Sequence, residues 1–280
     1  MGSVTCAAFA GGRNPSDLRR LGMLVTGADD GLVRVWNCHS GACLSVLIGH
    51  GNVIWGIKAL GGKLCTVATS SRDGTAQLWA IADEDGEILV PRVGESFRTL
   101  YPSMVCRGHS TAILALDAPE MENNGPMVPL IATGSADGDC RVWDTLTAEC
   151  TMQLVGHQHG IVAIKLATFR GLLSTGSSTA SSSGSPSHVV TASHDLSVRV
   201  WDRSSGECLA ELKDHRRPVV SLAVHGSVLV SLAPGEGALA YYCEPPSGEG
   251  AAAPWGGSAE DSRAAGSGRG RTSRLKDHRQ

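Results

Sequence analysis

Tyrosine and phenylalanine are scarce in this sequence, with three of each in 280 residues, yet there are six Trp. A Trp count above the Phe count asks for a local cause. No run of about 18 apolar residues occurs, so no transmembrane helix is expected. The start, Met1-Gly2-Ser3-Val4-Thr5-Cys6, has no basic stretch before an apolar core and reads as no secretory signal. Cys6 also stands where a myristoylation motif wants Ser or Thr. Charge of one sign is lacking: Lys+Arg 24 against Asp+Glu 27, a formal net charge of -3. That balance supplies no field for nucleic acid or for an anionic membrane. No cysteines pair as CxxC. The nine of them (Cys6, Cys38, Cys43, Cys65, Cys106, Cys140, Cys150, Cys208, Cys243) are odd in number, and several fall in apparent strands. Free thiols in a reducing compartment follow, which points to cytosol or nucleus.

What the sequence does contain is a repeat. Four segments align on a Trp: TGADDGLVRVWN ending at Asn37, TSSRDGTAQLWA at Ala80, TGSADGDCRVWD at Asp144 and TASHDLSVRVWD at Asp202. A Thr precedes each Trp by ten residues (Thr26, Thr69, Thr133, Thr191) and an Asp by six (Asp30, Asp73, Asp137, Asp195). Turn-forming residues after the Asp, then Val-x-Val-Trp alternation, spell strand, turn, strand. Upstream of the later units stand Gly49-His50, Gly108-His109, Gly156-His157 and Asp214-His215. Each is followed at four and seven residues by apolar positions: Ile54 and Ile57, Ile113 and Leu116, Ile161 and Ile164, Val219 and Leu222. ACLSVLIGH, MVCRGH, ECTMQLVGH and ECLAELKDH supply a fourth strand per unit.

Aligned Thr, Asp and Trp with intervening Gly-His pairs resemble the WD-repeat (WD40) family. The resemblance covers residues 1–243 and implies an all-β fold, a β-propeller of about five blades of four antiparallel strands each. The repeats read as 1–48, 49–107, 108–155, 156–213 and 214–243. Residues 244–271, rich in Gly, Ala and Ser, read as a low-complexity linker, and 272–280 as the outer strand of the fifth repeat, since RLKDHRQ echoes ELKDHRR. Extra segments appear at 83–105, 121–129 and 174–187, the last a Ser/Gly run expected to be a loop. VTCAAF fits an innermost strand whose preceding His is missing. In the fifth repeat Ser231 and Tyr241 keep their strand places, but Gly235 stands where the Asp belongs. Propellers of this family commonly close with more blades, so either these five close first to last or the array is open, and a fragment of a longer propeller is the favoured reading.

The resemblance also implies a buried hydrogen-bonded network in the complete repeats: His50, Thr69, Asp73 and Trp79; His109, Thr133, Asp137 and Trp143; His157, Thr191, Asp195 and Trp201. Indole donates to hydroxyl, hydroxyl to imidazole, and imidazole to carboxylate. Thr, His and Asp also suggest a nucleophile, a base and its orienter. The set recurs three times with its hydroxyl committed to Trp, so it reads as structure, and no enzyme is expected. No spacing of His and Cys suits a metal, and nothing asks for a cofactor.

In this family the loop with Gly-His and the turn with Asp lie at one end of each blade, around the channel mouth. The contact candidates there are Asn52, Trp55, Arg72, His159, His194, Arg216 and Arg217, with Ser110 and Thr111 beside them. Trp55 reads either as a hot spot or as core filling. Arg216-Arg217 suits a carboxylate or phosphate. The expected role is a scaffold that holds proteins or peptides, with self-association through open blade edges as a further route. The alternative is a recognition subunit reading an acidic or modified peptide, such as a ubiquitin-ligase substrate receptor. Trp201-Asp202-Arg203-Ser204 puts Arg one place early for the Trp-Asp-x-Arg of such receptors. The basic segment GSGRGRTSR reads as linker rather than as an RNA contact.

Overall fold

A computed structural model of the chain describes residues 2–10, 22–61, 65–83, 88–119, 129–169 and 186–242. The insertions at 121–129 and 174–187 lie largely outside them, and 244–280 wholly so. Every regular element among the described residues is a β-strand. The first blade is β1 (Val4–Ala10), β2 (Met23–Ala28), β3 (Val33–Asn37) and β4 (Cys43–Leu47). The second is β5 (Ile54–Gly61), β6 (Thr66–Ser71), β7 (Thr75–Ala80) and, after the short β8 (Arg98–Leu100), β9 (Met104–Arg107). The third is β10 (Ile113–Asp117), β11 (Leu130–Ser135), β12 (Cys140–Asp144) and β13 (Cys150–Leu154). The fourth is β14 (Ile161–Ala167), β15 (His188–Ser193), β16 (Val198–Asp202) and β17 (Cys208–Leu212). The fifth is a three-stranded sheet of β18 (Ser221–His225), β19 (Val228–Ala233) and β20 (Gly237–Tyr242). The chain divides into two compact units, Met1–Asp137 with Arg141–Met152 and Gly138–Cys140 with Gln153–Gln280, so the boundary passes through the third blade.

Alternation along the strands gives each blade two apolar faces, and both need cover. One face carries the Trp. In the second blade Ala59, Val67 and Trp79 stand opposite one another on it, while Ala68 and Leu78 share the other. In the first unit the plain face of the first blade (Val25, Val33, Val35, Leu47) packs on Val67 and Trp79 of the second. The plain face of the second (Ala68, Ala76, Leu78, Cys106) packs on Ile131 and Trp143 of the third. In the second unit Val190, Ala192, Val198 and Val200 of the fourth blade pack on Leu222, Leu229 and Tyr241 of the fifth. Each of these interfaces sets a small β-branched or Ala surface against a large ring. The ring is Trp79 or Trp143 in the first unit and Tyr241 in the second, where Phe169 joins the same core.

The residue after the Trp explains the tight turn into the outer strand. Asn37 Oδ1 accepts from the backbone N–H of His39 (2.8 Å) and Ser40 (3.0 Å). Asp144 Oδ1 accepts from Leu146 (2.6 Å), and Asp202 Oδ1 from Ser204 (2.7 Å). These are Asx turns. The second repeat has Ala80 at this place, which has no acceptor, and here the tight turn gives way to the long insertion. Within the insertion, β8 pairs in parallel with β4 of the first blade, with Ser45 opposite Arg98, Val46 opposite Thr99 and Leu47 opposite Leu100. Ser45 Oγ donates to Leu89 O (2.7 Å) and Ile48 N to Leu100 O (2.9 Å), while Ser103 N returns to Leu78 O of the second blade (2.8 Å). The extra segment at 83–105 therefore clasps two blades and covers the outer edge of the first.

The Asp-Gly turns interlock neighbouring blades. A Cβ on Gly31 would sit 3.0 Å from His50 O, one on Gly74 3.1 Å from Thr111 O, and one on Gly138 2.9 Å from His157 O. These glycines have φ between 76° and 88°, so both space and backbone require them. In the fourth repeat Leu196 takes the same place at φ 74°, a conformation that costs a leucine about 1–2 kcal/mol. Leu196→Gly should therefore raise stability, by up to about 1 kcal/mol after glycine's greater freedom when unfolded is deducted. Gly138→Ala should lower it. Paired thermal unfolding curves check both signs.

Candidate functional site

The anchor of each complete repeat is a hydroxyl. Thr69 stands on β6, beside the β7 that carries Trp79. Trp79 Nε1 donates to Thr69 Oγ1 (2.8 Å), His50 Nε2 lies 2.8 Å from the same oxygen, and His50 Nδ1 lies 2.9 Å from Asp73 Oδ2. The fourth blade repeats this: Trp201 to Thr191 at 2.8 Å, His157 Nε2 to Thr191 at 2.7 Å and His157 Nδ1 to Asp195 at 2.8 Å. In the third, Trp143 and His109 reach Thr133 at 2.7 and 2.8 Å, but His109 Nδ1 and Asp137 are 3.4 Å apart. The carboxylate then fixes the loop it faces. Asp73 Oδ2 accepts from Gly51 N (2.9 Å), Asp137 from Ser110 N (3.2 Å) and Asp195 from Gln158 N (3.0 Å). Every imidazole in these sets is fully buried. With its hydroxyl held between an indole and an imidazole in a closed site, the arrangement locks a loop to a blade and offers no nucleophile to a substrate.

Gly-His is read by the same packing. A Cβ on Gly49, Gly108 or Gly156 would lie 2.9, 3.2 or 3.1 Å from the Cη2 of Trp79, Trp143 or Trp201. The fifth repeat carries Asp214 there, and the smaller Tyr241 makes room for it. Burial, then the Asp214 charge, pushes the Tyr241 hydroxyl well above its ordinary value.

Two partners escaped the spacing argument. Thr75 Oγ1 donates to Asp73 Oδ1 (2.7 Å) and Ser197 Oγ to Asp195 Oδ1 (2.6 Å). Each stands two residues after its Asp, and the signal was simply a recurring hydroxyl at that offset. The third repeat has Asp139 there, which accepts from Gln153 Nε2 (2.6 Å) and cannot donate to Asp137. That loss accompanies the longer His109–Asp137 distance.

The end repeats depart from the pattern in different ways. Trp36 still donates to Thr26 (2.8 Å), but with no imidazole Asp30 turns to Arg34 (2.8 Å). In the fifth, His215 Nε2 lies 2.6 Å from Ser231 Oγ, and Glu236 supplies the carboxylate, 3.4 Å from His215 Nδ1 and 3.0 Å from the backbone N–H of Arg216. The acid absent at Gly235 is thus present one residue later, on a longer side chain. Asp195→Ala should cost about 3 kcal/mol by orphaning His157 and Ser197, whereas Asp137→Ala should cost less, and Asp30→Ala, an exposed pair, under about 1 kcal/mol. Denaturant midpoints for the three variants test this order.

Burial alone would raise the carboxyls of Asp73 and Asp195. Hydrogen bonds to Asp73 from His50, Thr75 and Gly51 N, and to Asp195 from Ser197, Gln158 N and His157, reverse this and hold both well below the usual carboxylate range. Burial lowers His157 and His215 below the ordinary 6.5, against the pull of Asp195 and Glu236. All four shifts mean that the unfolded chain binds more protons than the folded one. Stability should be full above about pH 7, fall as the pH drops through 6.5, and fall again below the ordinary Asp value of 3.8. Urea midpoints across this range, repeated for Asp195→Ala, check the lower step.

The contact candidates sit on the loops that these networks pin. In the first unit Asn52 follows the Gly51 amide held by Asp73, Arg72 precedes Asp73, and all of Asn52, Trp55 and Arg72 are exposed. Trp55 is the extra residue of a β-bulge between Ile54 and Gly56, and is 44% exposed. It fills no core gap, because a bulge re-aims the side chain. Thr5, Leu114 and Val162 occupy equivalent bulges. In the second unit His159, His194, Arg216 and Arg217 are likewise exposed. Among the described residues no group of three His, Cys, Asp or Glu is placed to hold a metal, and no helix is long and apolar enough to cross a membrane.

A family model described as WD domain, G-beta repeat, matches residues 2–37, 41–80 and 100–144. These three stretches of the chain are WD repeats. The chain is 24% identical over 170 residues to Periodic tryptophan protein 2 of Arabidopsis thaliana, covering 51% of this chain and 18% of that one. It is 26% identical over 222 residues to Nuclear distribution protein PAC1 of Arthroderma otae, covering 77% and 44%. Against Angio-associated migratory cell protein of Pongo abelii it is 26% identical over 230 residues, covering 78% and 46%. The chain spans less than half the length of these relatives.

Proposed function

We propose that this WD-repeat chain is a non-catalytic scaffold that holds other proteins or peptides within a multiprotein complex of the cytoplasm or nucleus. One observation carries the reading. Each pinned loop pairs a buried, hydrogen-bonded anchor with an exposed side chain within a few residues. Gly51 N is tied to Asp73 while Asn52 and Trp55 face solvent, and Arg216 N is tied to Glu236 while both arginine side chains are exposed. Side chains held out from an ordered backbone bind without a large ordering cost. A half-exposed Trp has the composition of an interface anchor.

The neighbouring Arg216 and Arg217 favour a second, narrower reading, recognition of an acidic or modified peptide, as a ubiquitin-ligase substrate receptor would need. Capture from lysate by the parent chain, by Trp55→Ala and by Arg216→Glu with Arg217→Glu separates them. A scaffold anchored at Trp55 should lose a reproducible partner set with Trp55→Ala and keep most of it with the double variant. An acid reader should show the reverse. Recovery of chaperones alone by the parent chain would contradict both.

A further inference from the structure

The clasp that ties the first two blades together also presents an open sheet edge, and it lies wholly within the first unit. β8 is the outermost strand of the first blade's sheet, with β4 as its one strand neighbour among the described residues. Ile48 N donates to Leu100 O, so Leu100 turns its backbone groups toward β4. By the period of two Arg98 does the same, and the N–H and C=O of Thr99, an exposed residue, point away from β4. The segment is ordered on both sides of this edge. Ser45 Oγ donates to Leu89 O, Glu95 N donates to Arg92 O, Arg92 N donates back to the Glu95 carboxylate (3.0 Å), and Ser103 N donates to Leu78 O. An open cavity of about 560 Å³ lies beside the edge, lined by Arg92, Glu95, Ser96, Phe97, Arg98 and Thr99. Neither guanidinium has a carboxylate partner among the described residues. With two arginines against one glutamate, the cavity is left positive. Phe97 is 45% and Tyr101 71% exposed, and Val90 and Val93, on either side of Arg92 in the chain, are exposed as well.

We propose that this edge docks an extended segment of a partner protein that carries a carboxylate side chain among apolar ones. The backbone of such a segment adds to β8 as β8 itself adds to β4, and its acid meets Arg92 and Arg98. One residue's outward N–H and C=O make a short ladder, so Phe97 and Tyr101 supply the apolar part of the contact. Because the edge and its flanks are already held by hydrogen bonds, little ordering opposes binding. Two other occupants fit less well. A second copy pairing edge to edge would bring two Arg98 side chains together, and like charges across a strand pair oppose that. A single-stranded nucleic acid would find rings and arginines, but its backbone has no N–H and C=O pair to match Thr99, and the Glu95 carboxylate stands in the same cavity. The surface is separate from the loop contacts proposed above and uses neither Trp55 nor Arg216.

The test is selection on the whole chain from a display library of random peptides of about twelve residues, long enough to form a strand. Arg92→Glu with Arg98→Glu serves to remove peptides that do not depend on the cavity. The peptides recovered should carry Asp or Glu among alternating apolar residues. The leading one, resynthesised and followed by fluorescence anisotropy, should bind the parent about tenfold or more tighter than the double variant. Arg92→Gln with Arg98→Gln should weaken it too, which covers the case in which the glutamates disturb the fold. N-methylation of alternate peptide residues should weaken binding in one phase and not in the other, because only one phase removes the N–H that faces Thr99 O. Trp55→Ala should bind the peptide as the parent does, so its loss of lysate partners and a failure here are told apart. The proposal is overturned if no peptide depends on the two arginines, if those recovered lack an acid, if both N-methylated forms bind alike, if Trp55→Ala loses the peptide, or if an oligouridylate of similar length binds the cavity more tightly.

Discussion

One threonine hydroxyl per complete repeat holds the rest in place. Thr69, Thr133 and Thr191 each accept from an indole and meet an imidazole within 2.8 Å. Around that oxygen two separate segments become one unit: the inner hairpin with its Asp-bearing turn, and the loop before the innermost strand. Such a network stabilises only when every member is satisfied, which is why its residues recur as a set. The third repeat is a variant of it. Asp139 stands in place of the hydroxyl, the Ser110 hydroxyl reaches Asp137 from the loop instead (3.2 Å), and the His109–Asp137 distance is 3.4 Å rather than the 2.8 and 2.9 Å of the fourth and second repeats.

From this anchor the packing between blades follows. The Cη2 atom of the indole comes so close to Gly49, Gly108 or Gly156 that a side chain there would clash, and Trp79 and Trp143 are covered by small apolar residues of the preceding blade. The turn that carries the Asp comes close enough to the next blade's backbone that only glycine fits at Gly31, Gly74 and Gly138. Buried polar bonds therefore set the positions, and apolar burial supplies most of the stabilisation. What remains free to vary is the short stretch of exposed side chain between anchors. This is the part of a WD-repeat blade able to carry a partner's identity, since a shared shape does not fix function.

Much of this was legible in the residues. Thr, Asp and Trp at constant spacing mark the inner hairpin because a strand's period of two and a fixed turn length leave no other register. Gly-His marked the loop, and Thr26 with Trp36 marked a first repeat without its imidazole. Glu236 was not legible, because a glutamate one place later reaches the same spot only through its extra methylene and the course of the turn. The clasp was not legible either. The pairing of β8 with β4 joins Arg98–Leu100 to a strand some fifty residues earlier, and three residues carry no periodicity from which to read it. Trp55 was ambiguous between core and surface because alternation predicts a direction only until a bulge shifts it.

The class of fold, the unit from which it is built and the buried set that holds each unit can all be read from the residues. All three depend on local spacing, and local spacing is written in the chain. Which faces pack on one another within each unit, which carboxylate completes the fifth repeat and which blade the insertion joins emerge only in three dimensions. Those outcomes depend on side-chain reach and on contacts between distant strands, and neither quantity has a period in sequence.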